Sequence, residues 1–150
     1  TDQNFKLVKV QLKVQLKARS KAQSKAHPPR LLWEILSPPR SELLKKAVQQ
    51  FQEYFFDKRQ TFDLPIHLVG TDFQKKVWEV VRQIPFGKVL TYKQVAAKIN
   101  QPTAARAVGG ALNKNPLLLI IPCHRVIAAH SLGGFAVGLN TKKLLLNLES

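Results

Sequence analysis

The chain has 150 residues, enough for one domain with a small appendage, and 45% of them are hydrophobic, so it can bury a core. Its formal net charge is +15, no run approaches the ~20 apolar residues of a membrane span, and its single cysteine excludes an internal disulfide framework. These features predict an intracellular protein in a reducing compartment, cytoplasmic in a prokaryote or nuclear in a eukaryote. The chain begins at Thr1 and lacks methionine, which is typical of a processed, truncated or engineered chain.

The first 45 residues predict one strand followed by a basic linker. Residues 8–17 alternate apolar and polar side chains, which is the period of a half-buried strand. Residues 18–27 repeat Ser, Lys and Ala without large apolar side chains, which indicates a linker or a frayed helix.

Four helices are predicted after this segment. The first begins after its cap Ser41, and the second runs from Thr71 or Asp72 to Gln83. The third runs from Tyr92 to Ile99 with Thr91 as its cap, and the fourth from Ala104 to about Asn113 with Thr103 as its cap. Two short helices joined by a tight polar break form a helix-turn-helix pattern. Many helix pairs in enzymes share this pattern without touching nucleic acid, so the pattern alone leaves both interpretations open. The last helix is mostly Ala and Gly, with Arg106 as its only charge, and it suits close packing on a neighbouring helix or entry into a minor groove.

The charge distribution favours nucleic acid. Between Glu79 and Glu149 there is no acidic residue, whereas nine basic residues lie in the same stretch: Arg82, Lys88, Lys93, Lys98, Arg106, Lys114, Arg125, Lys142 and Lys143. Solubility is served as well by mixed signs, while a polyanion releases counterions on meeting a cationic surface. A merely basic solvated face is the plain alternative. An anionic membrane is disfavoured, because this stretch contains no long amphipathic helix with a wide apolar face.

The single cysteine follows an unbroken apolar run. Leu117 to Ile121 predicts a buried strand that ends at Pro122, and Cys123 comes next with His124 as its neighbour. A thiolate is a strong nucleophile, and a nearby imidazole is a common means of making one. The alternative is an inert cysteine that packs as a small hydrophobe. The histidines show no ligand-like spacing, so no metal site is predicted.

From about residue 46 to 149 the chain resembles the O6-alkylguanine-DNA alkyltransferases, DNA repair proteins that take an alkyl group from guanine onto their own cysteine. The matching segments occur in order: Thr71-Asp72-Phe73-Gln74 with Val77-Trp78, Ile84-Pro85-Phe86-Gly87, Thr91-Tyr92, Arg106-Ala107-Val108-Gly109, Asn115-Pro116, Pro122-Cys123-His124-Arg125-Val126, Gly134-Phe135-Ala136-Val137-Gly138-Leu139, and Lys143-Leu144-Leu145 through Glu149. The resemblance implies an α+β protein. Residues 46–150 would be a mainly helical DNA-binding and active-site domain with a winged-helix-like helix-turn-helix. Residues 1–45 would be a reduced or atypical N-terminal segment containing β-structure.

The resemblance also implies roles for the residues of the site. Cys123 would accept the alkyl group, His124 would be its base through a bridging water, and Glu149 would hold the imidazole. The water is expected because successive residues of an extended strand point to opposite faces. Asn115 would tie the recognition helix to the cysteine strand.

DNA and pocket residues follow from the same resemblance. Tyr92 would press on the phosphate beside the target nucleotide, and Arg106 would fill the gap that the flipped nucleotide leaves. The implied DNA contacts are Tyr92, Lys93, Gln101, Ala105, Arg106, Gly109 and Ala129. The implied pocket residues are Tyr92, Leu112, Val126, Phe135, Ala136 and Val137. Phe135 stands where the family usually has Tyr, so a pocket hydroxyl is missing. Val137 stands where many members have Gly, so we expect a narrowed pocket that favours methyl over benzyl groups.

The leading prediction is a cofactor-free, self-inactivating DNA repair alkyltransferase, of which one chain repairs one lesion. Its expected partner is double-stranded DNA containing O6-alkylguanine, with O4-alkylthymine as a candidate second lesion, and it is expected to act as a monomer away from membranes. The alternative is a non-enzymatic lesion sensor or DNA-binding regulator in which Cys123 is unreactive. A cysteine hydrolase is a weaker third possibility, because no loop indicates an oxyanion hole.

Overall fold

The computed structural model describes residues 42–56 and 58–150. They belong to two compact units, one whose described part ends at Leu64 and one that spans Pro65–Ser150. The described part is mainly helical with a small two-stranded sheet, which confirms the prediction of a mainly helical protein with some β-structure. The strand predicted at residues 8–17, the linker at 18–27 and the cap Ser41 lie outside the described residues. No described helix has the length and hydrophobicity that crossing a membrane requires.

The first unit contains one described helix, α1, Glu42–Phe55. Phe51 on its buried face packs against Phe62 in the following loop, with ring centroids 5.0 Å apart. The Gln50 side chain donates to the carbonyl of Asp63 and accepts from its N–H, which ties the loop to the helix. The domain boundary predicted between residues 45 and 46 falls inside α1.

The second unit contains α2 (Asp72–Arg82), β1 (Leu90–Thr91), α3 (Tyr92–Lys98), α4 (Ala105–Asn113), a 3₁₀ turn (Cys123–Arg125), β2 (Val126–Ile127) and α5 (Leu139–Leu148). Capping boxes at Thr71 and Thr91 begin α2 and α3, as the sequence predicts. The cap predicted at Thr103 is wrong. Ala104 occupies that position, and its methyl side chain cannot accept a hydrogen bond; its N–H closes a turn onto the carbonyl of Gln101.

Helix α4 is central to the packing of this unit, since it contacts both α2 and α3. The indole N–H of Trp78 on α2 donates to the carbonyl of Ala111 on α4 at 2.9 Å, so the buried ring has a polar anchor. Small residues on α4 allow this close approach. The core around it consists of Val77, Trp78, Val81, Ile84, Val95, Ala96, Val108, Ala111, Leu112, Val126 and Leu145.

The short sheet sets the position of the cysteine. Strands β1 and β2 pair in parallel, with Leu90 opposite Val126 and Thr91 opposite Ile127. Because β1 leads directly into α3 and β2 directly follows the 3₁₀ turn, this pairing brings the start of α3 beside the turn that carries Cys123. Strands of two residues are too short to leave an alternating pattern, so the sequence did not predict them.

The apolar run 117–121 is not the strand that its composition predicts. Leu119 has a φ of 72°, and the N–H of Ile121 donates back to the carbonyl of Leu117 at 2.9 Å, so the chain turns there. Leu118, Leu119 and Ile121 are nonetheless buried. A buried turn and a buried strand give the same continuous apolar run, and therefore periodicity could not separate them.

Candidate active site

Cys123 lies at a cavity of about 450 Å³, within the range of about 300–1,000 Å³ that is typical of small-molecule sites. The start of α3, one face of α4, the 3₁₀ turn and the loop before α5 form its walls. The lining residues are Tyr92, Gly109, Leu112, Asn113, Cys123, Gly134, Phe135 and Ala136. The cysteine is only 5% exposed, so a reactant reaches its sulfur through this cavity.

Two glycines fix one wall of the cavity. Gly133 has a φ of 70°, and a Cβ placed on it would lie 2.8 Å from the ring of Tyr92. A Cβ on Gly109 of α4 would lie 3.7 Å from the same ring. The Tyr92 hydroxyl donates to the carbonyl of Gly134 at 3.4 Å. Burial raises the pKa of Tyr92, so its hydroxyl stays protonated and remains a donor at neutral pH.

The Asn115 amide links the end of α4 to the cysteine. Its Nδ2 donates to Cys123 Sγ at 3.1 Å and to the carbonyl of Ile121 at 2.8 Å. Its Oδ1 accepts from the N–H of Leu117 at 2.9 Å, which fixes the orientation of the amide. A donor directed at sulfur favours the thiolate over the thiol.

Behind the cysteine lies a buried group of His124, Arg125 and Glu149. His124 Nε2 and Glu149 Oε1 are 2.7 Å apart. Arg125 donates from Nε to Oε2 at 2.8 Å and from Nη2 to Oε1 at 2.9 Å, which is a bidentate pair. Arg125 also donates to the carbonyl of Ile84, which precedes the turn at residues 85–88. Each of the two carboxylate oxygens therefore has at least one strong donor.

The free nitrogen of His124 is an unused acceptor. Among the described residues, His124 Nδ1 is the one buried side-chain nitrogen or oxygen without a hydrogen-bond partner. Because the Glu149 carboxylate accepts from Nε2, the proton lies on Nε2 and the lone pair on Nδ1. Burial lowers the pKa of His124, although the Glu149 hydrogen bond opposes this. The neutral imidazole can therefore act as a base through the lone pair on Nδ1.

The thiol requires such a base. Burial raises the pKa of Cys123, while the Asn115 hydrogen bond and the Lys142 charge act in the opposite direction. The resting sulfur is therefore a thiol at neutral pH, and its nucleophilic form has to be generated within the site.

The local geometry changes the reason for expecting a bridging water. Cys123 and His124 lie in a 3₁₀ turn and not in an extended strand, so strand alternation does not apply. With three residues per 3₁₀ turn, adjacent side chains diverge by about 120°. That divergence still separates the sulfur from the imidazole of the next residue.

Two of the nine basic residues counted from the sequence are buried and do not belong to a cationic surface. Arg125 forms the pair described above, and Lys142 on α5 donates to the carbonyls of Val126 and Gly134. Sequence reasoning missed both. The sequence signal that could have indicated burial of Lys142 is its spacing: Leu145 and Glu149 follow it by three and seven residues, which places all three on one face of a helix. The other seven are exposed: Arg82, Lys88, Lys93, Lys98, Arg106, Lys114 and Lys143.

The structure brings together most of the predicted pocket. Tyr92, Leu112, Phe135 and Ala136 line the cavity, whereas Val126 and Val137 are not among the described residues that do so. Val126 is fully buried within β2. Val137 is half-buried beyond the lining loop, and its carbonyl accepts from Thr141 of α5. The preference for methyl over benzyl groups stays a prediction, without the wall contact from Val137 on which it was based.

The predicted DNA contacts are accessible to different degrees. Lys93, Gln101, Arg106 and Ala129 are exposed, and Tyr92, Ala105 and Gly109 are half-buried. Arg106 on α4 forms no ion pair with any described residue. Within the described ranges there is also no group of three His, Cys, Asp or Glu side chains that could hold a metal ion.

Comparison with known proteins gives consistent matches. The family described as "6-O-methylguanine DNA methyltransferase, DNA binding domain" matches residues 72–150. The methylated-DNA–protein-cysteine methyltransferase of Methanosarcina barkeri is 48% identical over 109 residues, which cover 72% of this chain and 69% of that protein. The crystal structure of Mycobacterium tuberculosis OGT in complex with DNA is similar with a TM-score of 0.70 at 45% identity, covering 71% of this chain and 66% of that one. The O6-methylguanine DNA methyltransferase structure from Methanococcus jannaschii has a TM-score of 0.59 at 44% identity, covering 76% and 69%.

Proposed function

The chain belongs to the methylated-DNA–protein-cysteine methyltransferase family, and we propose that it repairs DNA by moving an alkyl group from guanine O6 to Cys123. The observation that carries the proposal is the arrangement of Cys123 at a cavity, with a neutral His124 behind it that is hydrogen-bonded to Glu149. The cavity admits a small reactant, and the imidazole supplies a base beside a thiol that needs one. No cofactor takes part in this chemistry.

The proposed reaction begins with loss of the thiol proton. His124 Nδ1 takes this proton through a bridging water, and Glu149 stabilises the imidazolium that forms. The thiolate then attacks the alkyl carbon, so that a carbon–sulfur bond forms while the carbon–O6 bond breaks and its electron pair stays on guanine. The departing guanine takes up a proton. Overall, the thiol hydrogen replaces the alkyl group, and because a thioether is stable, one chain repairs one lesion.

Asn115 and Glu149 are proposed to position the reacting groups. The two Asn115 donor contacts, to Sγ and to the Ile121 carbonyl, hold the sulfur at the end of the segment that leads from α4. Glu149 keeps the proton of the resting imidazole on Nε2. Both side chains are buried, and a buried hydrogen-bond network holds its members in a fixed geometry.

Binding to double-stranded DNA is proposed through α3 and α4 acting as a helix-turn-helix in the minor groove. Seven cations of this region are exposed and no acidic residue lies between Glu79 and Glu149, although Arg82 pairs with Glu79 itself at 3.6 Å. This excess of positive charge suits phosphate contacts. The candidate contacts are Tyr92, Lys93, Gln101, Ala105, Arg106, Gly109 and Ala129. The substituent on guanine O6 lies inside the duplex, so the nucleotide has to be flipped out to reach Cys123. Tyr92 would guide its rotation and Arg106 would replace it in the stack.

The finer features of this proposal concern domains, lesions and assembly. We infer that residues 46–150 act as the alkyltransferase domain and that residues 1–45 form a separate basic segment. The candidate pocket consists of Tyr92, Leu112, Val126, Phe135, Ala136 and Val137. Of these, Val126 and Val137 do not line the cavity. O6-alkylguanine is the proposed lesion, O4-alkylthymine is a second candidate, and the protein is proposed to act as a monomer.

Incubation with duplex DNA that contains O6-methylguanine tests the function directly. We expect the intact mass of the protein to increase by one methyl group, peptide mapping to place it on Cys123, and the reaction to stop after one equivalent. Multiple turnovers per chain would contradict the single-turnover mechanism. Tight binding to the lesion without any mass change would instead support the alternative, a non-enzymatic lesion sensor.

Arg106→Ala should affect duplex DNA selectively. If the guanidinium fills the space left by the flipped nucleotide, its removal should slow transfer from duplex by on the order of tenfold to a hundredfold, because unstacking costs a few kcal/mol. Transfer from the free base O6-methylguanine, which needs no flipping, should change little. Both rates are measured by single-turnover kinetics, with Lys114→Ala as a matched loss of one exposed cation next to α4. Equal losses on the two substrates would show that Arg106 supports the fold instead.

A further inference from the structure

Lys142 is a buried cation that the proposed reaction does not use. The side chain is fully buried on α5, and buried lysines are rare unless they are paired. The buried guanidinium of Arg125 has the Glu149 carboxylate as its counter-ion. Lys142, in contrast, forms no ion pair with a carboxylate among the described residues.

The hydrogen bonds of Lys142 place its ammonium between the cysteine segment and the cavity wall. Nζ donates to the carbonyl of Val126, which immediately follows the 3₁₀ turn carrying Cys123. It also donates to the carbonyl of Gly134 at 3.1 Å, and Gly134 lines the cavity together with Cys123. Neutral carbonyls satisfy these N–H groups but leave the positive charge without a counter-ion.

The neighbouring titratable groups leave one candidate for that counter-ion. Glu149 already accepts from both His124 and Arg125. The hydroxyl of Tyr92 donates to the same Gly134 carbonyl, and burial raises its pKa, so it stays neutral. Cys123 is the remaining group that can become negative. Burial lowers the pKa of Lys142 to about 8, and the charge of Cys123 opposes that change.

We propose that Lys142 is a positioning residue whose ammonium serves as the counter-ion of the Cys123 thiolate while it holds the Gly134 wall of the cavity. This inference rests on the proposed function only in taking the thiolate as the nucleophile. The attraction exists once the thiol has lost its proton, and it ends when the sulfur becomes a neutral thioether. It therefore stabilises the reactive state more than the resting thiol or the product.

The rate of alkylation by iodoacetamide reports the thiolate fraction of a cysteine in the absence of DNA. Because Cys123 is the single cysteine of the chain, the rate can be assigned to it. Sulfur displaces iodide in this reaction, so its rate follows the thiolate fraction. Lys142→Met and Lys142→Gln both remove the charge, the second while keeping a hydrogen-bond donor. We expect both to slow alkylation at neutral pH by on the order of tenfold and to shift the pH–rate profile to higher pH. Lys143→Met, which removes an exposed cation from the next position, should leave the profile unchanged.

The inference is overturned if both neutral variants react within about twofold of wild type with an unchanged profile, whatever their thermal stability. Should neither variant fold, the Lys142 side chain is titrated by NMR in the wild type and in Cys123→Ser. A lower Lys142 pKa in the serine variant supports the pairing, because the coupling of two sites is reciprocal, and equal values refute it. A wild type that reacts with iodoacetamide but takes no methyl from DNA would refute the proposed function and leave this result standing.

Discussion

Cys123→Ala is expected to abolish alkyl transfer completely, from duplex DNA and from the free alkylated base alike. The chain has a single cysteine, and no described nucleophile could accept the group with comparable reactivity at neutral pH, because the softer thiolate is the better nucleophile. Intact mass spectrometry after incubation with O6-methylguanine DNA should show no added methyl group. This is the largest effect expected from any single substitution.

DNA affinity provides the control for this experiment. Cys123 is buried, and its described polar partner is the Asn115 amide, so exchange for a small residue should leave the exposed face of α4 unchanged. We expect affinity for duplex DNA close to that of the wild type in an equilibrium titration. Residual methyl transfer by Cys123→Ala would refute the assignment of the acceptor. Loss of DNA binding together with activity would point to unfolding, which circular dichroism detects independently.

His124→Ala is expected to slow transfer by about 10²–10⁴-fold, the usual contribution of a positioned general base. The substitution removes Nδ1, the acceptor for the thiol proton, and leaves the Arg125–Glu149 pair in place. Single-turnover rates measured against pH should show that a higher pH partly restores the reaction, since hydroxide then removes the proton. A rate within about twofold of wild type at neutral pH would exclude His124 as the base.

Glu149→Gln gives a contrast that the sequence alone did not suggest. The expectation from the resemblance is a loss of imidazole orientation only. In the structure the same carboxylate is also the counter-ion of buried Arg125, and removing one partner of a buried ion pair costs about 3–5 kcal/mol. We therefore expect Glu149→Gln to lower stability in a denaturant titration as well as activity, because it leaves the charge of Arg125 buried and unpaired. Adding Arg125→Met to Glu149→Gln should recover part of the stability.

The lowered pKa of His124 has a pH consequence of definite sign. Because burial lowers the folded-state pKa below the ordinary histidine value of 6.5, the unfolded chain binds the proton first as pH falls. The free energy of unfolding should therefore decrease as pH falls below 6.5, and this part of the decrease should be absent in His124→Ala. Denaturant titrations of both proteins across mildly acidic pH measure the difference.

The helix starts show what local sequence could decide. Thr71 and Thr91 are each followed by glutamine at the third helical position, and both form the capping boxes that this spacing favours. Thr103 lacks such a glutamine, and its predicted cap was wrong. Hydrogen bonds within a few residues are enough to fix the two capping boxes.

The run before Cys123 shows where local patterns fail. Its composition predicts a strand, yet the chain turns at Leu119, which has a positive φ. Burial on all sides requires apolar residues but does not determine the path of the backbone, so the composition could not reveal the turn. The strands β1 and β2 were likewise missed, as their pairing joins positions 36 residues apart in sequence, Leu90 with Val126. Pairing over such a distance leaves no periodic signal in either segment.

By itself the sequence determined the family, the position of the single cysteine next to His124 and the cationic character of the region around them, because these depend on residue identity and order. The tertiary structure alone decided which charges are surface charges. Arg125 and Lys142 read like the other cations in the sequence, but the fold buries both, one against Glu149 and the other against two carbonyls. The physical reason is that the effect of a charge depends on its solvation and its partners, and residues far apart in the chain supply these only when it folds.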